Sequence, residues 1–219
     1  MNCKYCNNRC IKKGYNKNVQ RILCKTCNRY QQENYTYNLC TKENEQMIIK
    51  LNNEGVGISS ISRITGLSKA NVVNKINAIA FKTEKPLIKE EQQEYEVDEL
   101  YTYVKNKSNP CYVIYALNKS SKKVIDFFVG SRTKENINKV ITSVKALNPK
   151  KIFTDKLNIY PALIEESIHT AASYKINHIE RFNLTLRTHQ KRLTRKTICY
   201  SKTKGMLENC LRIYFWSKV

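Results

Sequence analysis

The chain has 219 residues, of which 41% are apolar, enough to pack one large domain or two to three small ones and too many for wholesale disorder. Thirty-nine Lys and Arg against 18 Asp and Glu leave a net charge of +21, and self-repulsion on that scale calls for a polyanionic partner. There is no apolar run of about 18 residues, and Met1-Asn2-Cys3-Lys4 does not open a signal peptide; both argue against a membrane and point to nucleic acid in a reducing cytoplasm.

Residues 1–40 are polar and basic and hold Cys3, Cys6, Cys10, Cys24, Cys27 and Cys40, six of the nine cysteines. An odd cysteine count without a signal peptide speaks against a secreted disulfide framework. Cys3-x-x-Cys6 and Cys24-x-x-Cys27 stand seventeen residues apart. Each C-x-x-C turn can aim two thiolates at one ion, and two turns complete a tetrahedral four-sulfur shell, so this segment is expected to be a zinc ribbon holding Zn²⁺. Metal binding of roughly 10 kcal/mol or more replaces the missing apolar core. A closed shell makes the site structural. Cys10 and Cys40 fit no shell.

Residues 41–82 predict three short helices and a helix-turn-helix. Thr41 caps the first, in which Met47, Ile48 and Leu51 recur at helical spacing up to Gly55. The second runs from Ser59 to Thr65 with Ile61 and Ile64 inward. Gly66 makes the tight turn, where positive φ suits a residue without Cβ. Ser68 caps the third, whose inner face is Val72, Val73, Ile76 and Ile79. In such a unit the last helix enters the major groove, with Lys69, Asn71 and Asn74 facing outward at its start. An ordinary three-helix packing unit has the same pattern, and the zinc ribbon and the net charge favour DNA reading.

Residues 83–94, with Pro86 and the cluster Glu90, Glu91, Gln92, Gln93, Glu94, read as a linker to a domain over 95–219. Tyr95–Val104, Cys111–Leu117 and Lys123–Val129 predict strands, joined by gaps short enough for hairpins. Lys134–Leu147 follows as an amphipathic helix, and Lys151–Thr154 as a short buried strand. Three antiparallel strands, a helix and a parallel strand are the order of a ribonuclease-H-like α/β fold. The chain has three aspartates. Asp98 in the first strand and Asp155 just past the fourth become neighbours in that order, and Glu180 on a later helix can close a carboxylate cage for two Mg²⁺ ions, or Mn²⁺. Taken singly, Asp98 suits an edge strand, Asp155 a turn, and Glu180 a capping box begun by Asn177. Arg181 to Lys204 carries eight Lys/Arg and no acid. Arg187, Lys191 and Arg195, four apart, with Arg192 three before Arg195, predict one basic helix face tracking a DNA backbone.

These residues resemble, in order and over nearly the whole chain, the transposases of insertion sequence one and its relatives. Val97-Asp98-Glu99-Leu100 resembles the family's Asp-Glu dipeptide, and Thr154-Asp155 with Tyr160 its second acid. Ile179-Glu180-Arg181-Phe182-Asn183-Leu184-Thr185-Leu186-Arg187 is similar to its Ile-Glu-Arg-x-Asn-x-x-Leu-Arg block, and Ser201-Lys202-Thr203 with Leu207-Glu208 extends the likeness. Departures are Tyr101 and Leu157 in place of Trp, Lys156 in place of Gly, and Phe182 in place of His; Asp126 matches no family acid. The resemblance implies a DDE transposase of a prokaryotic, nucleoid-associated kind, with Asp98, Asp155 and Glu180 as catalytic metal ligands. Asn183 and Arg187 would then contact the scissile phosphate. Zinc ribbon and helix-turn-helix would read the terminal inverted repeats of double-stranded DNA, and a homodimer or larger assembly would pair two ends and a target. The rival readings are a non-catalytic regulator with a decayed nuclease domain and an RNA-binding protein; the intact acids count against the first, and the lack of a stacking-aromatic signature against the second.

Overall fold

The computed structural model describes residues 1–16, 18–32, 42–88 and 91–217. Cys40, the capping role expected of Thr41 and part of the 83–94 linker lie outside them. Contacts divide the chain into two compact units, Met1–Leu39 and Cys40–Val219.

In the first unit, β1 (Cys10–Asn16), β2 (Val19–Cys24) and β3 (Tyr30–Gln32) form an antiparallel sheet in that order. Little of it is buried beyond Cys3, Ile22, Cys24 and Gln31, which is why a core of apolar side chains cannot hold it. The two C-x-x-C turns are local repeats of one another. In each, the residue after the second cysteine is an asparagine in the left-handed region, Asn7 at φ 58° and Asn28 at φ 54°, a conformation Asn tolerates better than most residues.

The second unit opens with α1 (Lys42–Asn53), α2 (Ile58–Thr65) and α3 (Lys69–Lys82). Gly66 takes φ 69° between α2 and α3, and Ser68 caps α3 by accepting the Asn71 N–H at 3.2 Å. Ile48, Ile61, Leu67, Val72, Ile76 and Ile79 form the core of this bundle. Met47 and Ile64, expected inside, are exposed. A fourth helix, α6 (Lys204–Trp216), completes the core with Cys210 and Ile213 and packs on α1 and α3, while α2 meets α1 and α3 through Ile61.

Between them lie β4 (Glu94–Tyr103), β5 (Pro110–Asn118), β6 (Val124–Gly130), α4 (Lys134–Lys145), β7 (Lys151–Thr154), β8 (His169–Ala171) and α5 (Asn177–His189). The sheet order is β6-β5-β4-β7-β8, with β4, β5 and β6 antiparallel and β4, β7 and β8 parallel, a mixed sheet compatible with a ribonuclease-H-like fold. Neither β8 nor α6 is among the elements expected from sequence. Side chains of β5 alternate strictly: Val113, Tyr115 and Leu117 face α5 and α6, while Ile114 and Ala116 face α4. Because α6 belongs both to the core over the sheet and to the α1–α3 core, sheet and bundle form one unit.

Candidate active site

The site is built on β4, the central strand, and not on an edge. Glu94–Glu96 pair with Lys151–Phe153 of β7; extending that parallel register by two residues brings Asp155 level with Asp98. β7 ends at Thr154, so Asp155 turns out of the sheet where β4 continues. Asp98, Glu99 and Asp155 each offer a carboxylate oxygen, and these lie within 4.8 Å of one another. Carboxylate oxygens are the donors a hard cation such as Mg²⁺ takes, and a small closing of this set would bring them to the about 4.2 Å or less that separates two oxygens on one such ion.

Neighbours fix each acid. Asp98 accepts the Glu99 N–H at 2.8 Å and Asn183 Nδ2 at 2.7 Å, and Asn183 Oδ1 accepts the Tyr115 hydroxyl at 2.8 Å. The buried Tyr115 thus selects the rotamer in which the amide nitrogen of Asn183 faces Asp98. Burial pushes the Asp98 carboxyl up, the two hydrogen bonds oppose this, and the charges of Asp155 and Glu180 add to it. Glu99 is pushed up to about 7, chiefly by burial; the Tyr160 hydrogen bond opposes and the charges of Asp155 and Asp98 add. Tyr160 donates its hydroxyl to Glu99 Oε1, and Arg132 Nη1 stands 4.0 Å from Oε2. Asp155 also has a local duty: its Oδ1 accepts the Leu157 N–H at 2.9 Å, an Asx turn.

Glu180 sits exposed in the first turn of α5, outside the group of three, yet close enough for its charge to act on Asp98. The capping box is not formed: the N-cap of α5 is Ile176, with no side-chain cap. The third aspartate, Asp126, pairs with Lys85 at 2.8 Å.

The basic face expected of Arg187, Lys191, Arg192 and Arg195 is not one helix face. α5 ends at His189, and Lys191–Leu193 is a short 3₁₀ turn. Arg187 donates to the carbonyls of Leu193 (2.6 Å) and Tyr101 (3.0 Å), and Arg192 is buried with Nη1 on Ser201 Oγ at 3.1 Å. These two guanidiniums hold the fold together; Lys191 and Arg195 are exposed. On α3, Lys69, Asn71 and Asn74 are exposed.

In the first unit the four thiols of Cys3, Cys6, Cys24 and Cys27 also lie within 4.8 Å of one another, with Cys3–Cys27 at 3.5 Å and Cys6–Cys24 at 3.4 Å. Four sulfurs tetrahedral about zinc stand about 3.8 Å apart, so the cluster fits that ion. The Cys27 backbone N–H brings Cys24 down to about 6, and burial among the other thiols raises Cys27 to about 12. Four packed thiols cannot all ionise without a cation.

Glu99, Tyr115 and Tyr160 escape a reading of sequence motifs. Glu99 and Tyr160 had signals, their places in the Asp98-Glu99 dipeptide and shortly after Thr154-Asp155, though neither was given a role; Tyr115 had none, since it looks like a core aromatic.

Residues 94–218 match the family described as IS1 transposase. The chain is 32% identical over 116 residues to the insertion element iso-IS1n protein InsB of Shigella dysenteriae, covering 53% of this chain and 88% of that protein. It is 30% identical over 119 residues to the insertion element IS1 protein InsB of Shigella flexneri, covering 54% and 91%. A cryo-EM structure of the simian T-cell lymphotropic virus intasome with a PP2A regulatory subunit aligns at TM-score 0.35 and 16% identity, covering 64% of this chain and 59% of that one.

Proposed function

This chain belongs to the IS1 transposase family, and we propose that it is a DDE transposase that cuts at the ends of its element and joins the freed 3′-hydroxyls to target DNA. The observation that carries the reading is the convergence of Asp98, Glu99 and Asp155, from a central strand and the end of its parallel neighbour, within 4.8 Å. Asp98 and Asp155 would hold Mg²⁺ or Mn²⁺ jointly, with Glu180 reaching in from α5 and Glu99 beside them. Such ions, when bound, activate the attacking oxygen and stabilise the leaving one. The chain's own part is to fix geometry: Asn183 and Tyr115 orient Asp98, and the Asx turn orients Asp155.

DNA binding draws on the +21 charge. The α1–α3 segment acts as a helix-turn-helix, with Lys69, Asn71 and Asn74 of α3 reading terminal inverted repeats. The zinc ribbon, with Cys3, Cys6, Cys24 and Cys27 on Zn²⁺, contributes a second contact. Lys191 and Arg195 meet backbone phosphates, and two copies or more act together on paired ends at the nucleoid. Among the described residues no helix is long and apolar enough to cross a membrane.

Asp155→Asn tests the enzyme reading. It keeps shape and the hydrogen bond to Leu157 but removes the charge that holds the cation. Cleavage of DNA carrying the element's ends should fall by orders of magnitude while DNA affinity is retained, and Asp126→Asn should cut normally. Wild-type cleavage by Asp155→Asn would leave the non-catalytic regulator standing.

A further inference from the structure

Helix α5 carries Glu180 and Asn183, but nothing local caps it. Its N-cap position is Ile176, whose side chain can accept no hydrogen bond. The missing acceptor comes from another element. Glu96 of β4, wholly buried, takes the Ile179 N–H on Oε2 at 2.7 Å. Its Oε1 lies 3.5 Å from His178 Nδ1, in the same first turn.

The placement of Glu96 is not arbitrary. It precedes Asp98 by two residues, so both side chains leave the same face of β4. Ile179 precedes Asn183 by four, so both lie on the same face of α5. Glu96 holds the backbone N–H of the first and Asp98 the side-chain amide of the second, at 2.7 Å each. One bond would allow α5 to pivot. Two bonds, one turn apart, fix its position along β4, and a slip by a turn would break both.

We infer that Glu96 is a positioning residue for the reaction: a buried side chain that caps α5 from β4 and sets the register that keeps Glu180 near Asp98. It touches neither metal nor DNA. The inference rests on the transposase reading above for the part played by Glu180, but the clamp itself does not depend on metal.

The test compares Glu96→Ala and Glu96→Gln in the full zinc-loaded chain. Glu96→Ala should bind the element's ends as the wild type does, yet need about tenfold more Mn²⁺ for half-maximal cleavage, as loss of a group that orients a ligand does. Glu96→Gln, whose amide oxygen still accepts from Ile179, should recover most of this. Because α5 carries both Glu180 and Asn183, Glu96→Ala combined with Glu180→Gln should lose less than the sum of the two single variants. A merely structural role would give additive losses. An unchanged Mn²⁺ curve for Glu96→Ala, or full additivity, overturns the inference. If Glu96→Ala does not fold, Glu96→Asp, one methylene short of the Ile179 N–H, replaces it with the same outcomes. Amide exchange at Ile179 without metal separates the two readings. Wild-type cleavage by Glu180→Gln would remove the metal reading, while faster Ile179 exchange in the Glu96 variant would keep the clamp; unchanged exchange would remove the clamp whatever the metal does.

Discussion

Glu99 makes the metal-free protein sensitive to pH. Its carboxyl is held at about 7 in the fold and titrates near 4.3 in an unfolded chain. Between those values the folded state keeps a proton that the unfolded state has released, so stability falls as pH rises. Asp98, also raised by burial, acts in the same direction. Without divalent cation, Tm should therefore drop by a few degrees between about pH 4.5 and pH 7.5. Mg²⁺ or Mn²⁺ should reverse that drop, and Glu99→Gln should abolish most of it. Scanning calorimetry with and without Mg²⁺ measures both; a Tm that rises across the window in the metal-free protein would contradict the assignment of Glu99. At this scale the sequence was a partial guide. Asp98 and Asp155 stood out because aspartates are few and Glu99 stood beside one of them, whereas Glu96 was hidden among ordinary glutamates whose meaning depends on which face of β4 they leave.

At the scale of elements, the turn between α1 and α2 meets the end of α5. Gly55 has φ 67°, and a Cβ there would lie 1.8 Å from the His189 carbonyl oxygen. Beside it, Gln190 donates to the Asn52 carbonyl at 2.8 Å, and Asn52 donates to the Cys210 carbonyl at 3.0 Å. Gly55→Ala combines left-handed strain with a backbone clash and should cost about 2–4 kcal/mol, read as a lowered denaturation midpoint. A neutral result would mean that this joint yields easily. The same joint explains why the basic helix face is absent. Gln190 leaves helical geometry as the C-cap of α5, at φ −101° and ψ 90°, with its side chain buried among the carbonyls of α1. No Gly or Pro marks that break, so spacing alone carries the helix onward to Arg195. Arg192→Ala should accordingly lower stability by about 1–3 kcal/mol and leave the salt dependence of DNA binding unchanged. Lys191→Ala and Arg195→Ala should each flatten the slope of log K against log salt by up to about 0.9. Equal slopes in all three variants would remove the distinction.

Over the whole molecule, the two units should respond differently to loss of zinc. Met1–Leu39 is separate by contact and poor in apolar core, whereas Cys40–Val219 carries three clusters of its own. Chelation, or Cys24→Ser, should unfold the first unit and leave the main thermal transition within a few degrees of its place. A joint collapse would show that the units share stability. What the sequence by itself determined were the features whose geometry is local: the doubled C-x-x-C turns, the strand and helix periods, the Gly66 turn with its Ser68 cap, and the order of the acids. These follow from spacing along the chain, which fixes where neighbouring side chains point. Only the tertiary structure decided that Glu99 joins Asp98 and Asp155, that Glu96 caps α5, that α6 closes the α1–α3 core, and that Arg187 and Arg192 spend their guanidiniums on bonds within the fold. Each of these depends on strand register or helix docking between residues far apart in sequence, where burial and the demand for hydrogen-bond partners select one arrangement among many that share the same local pattern.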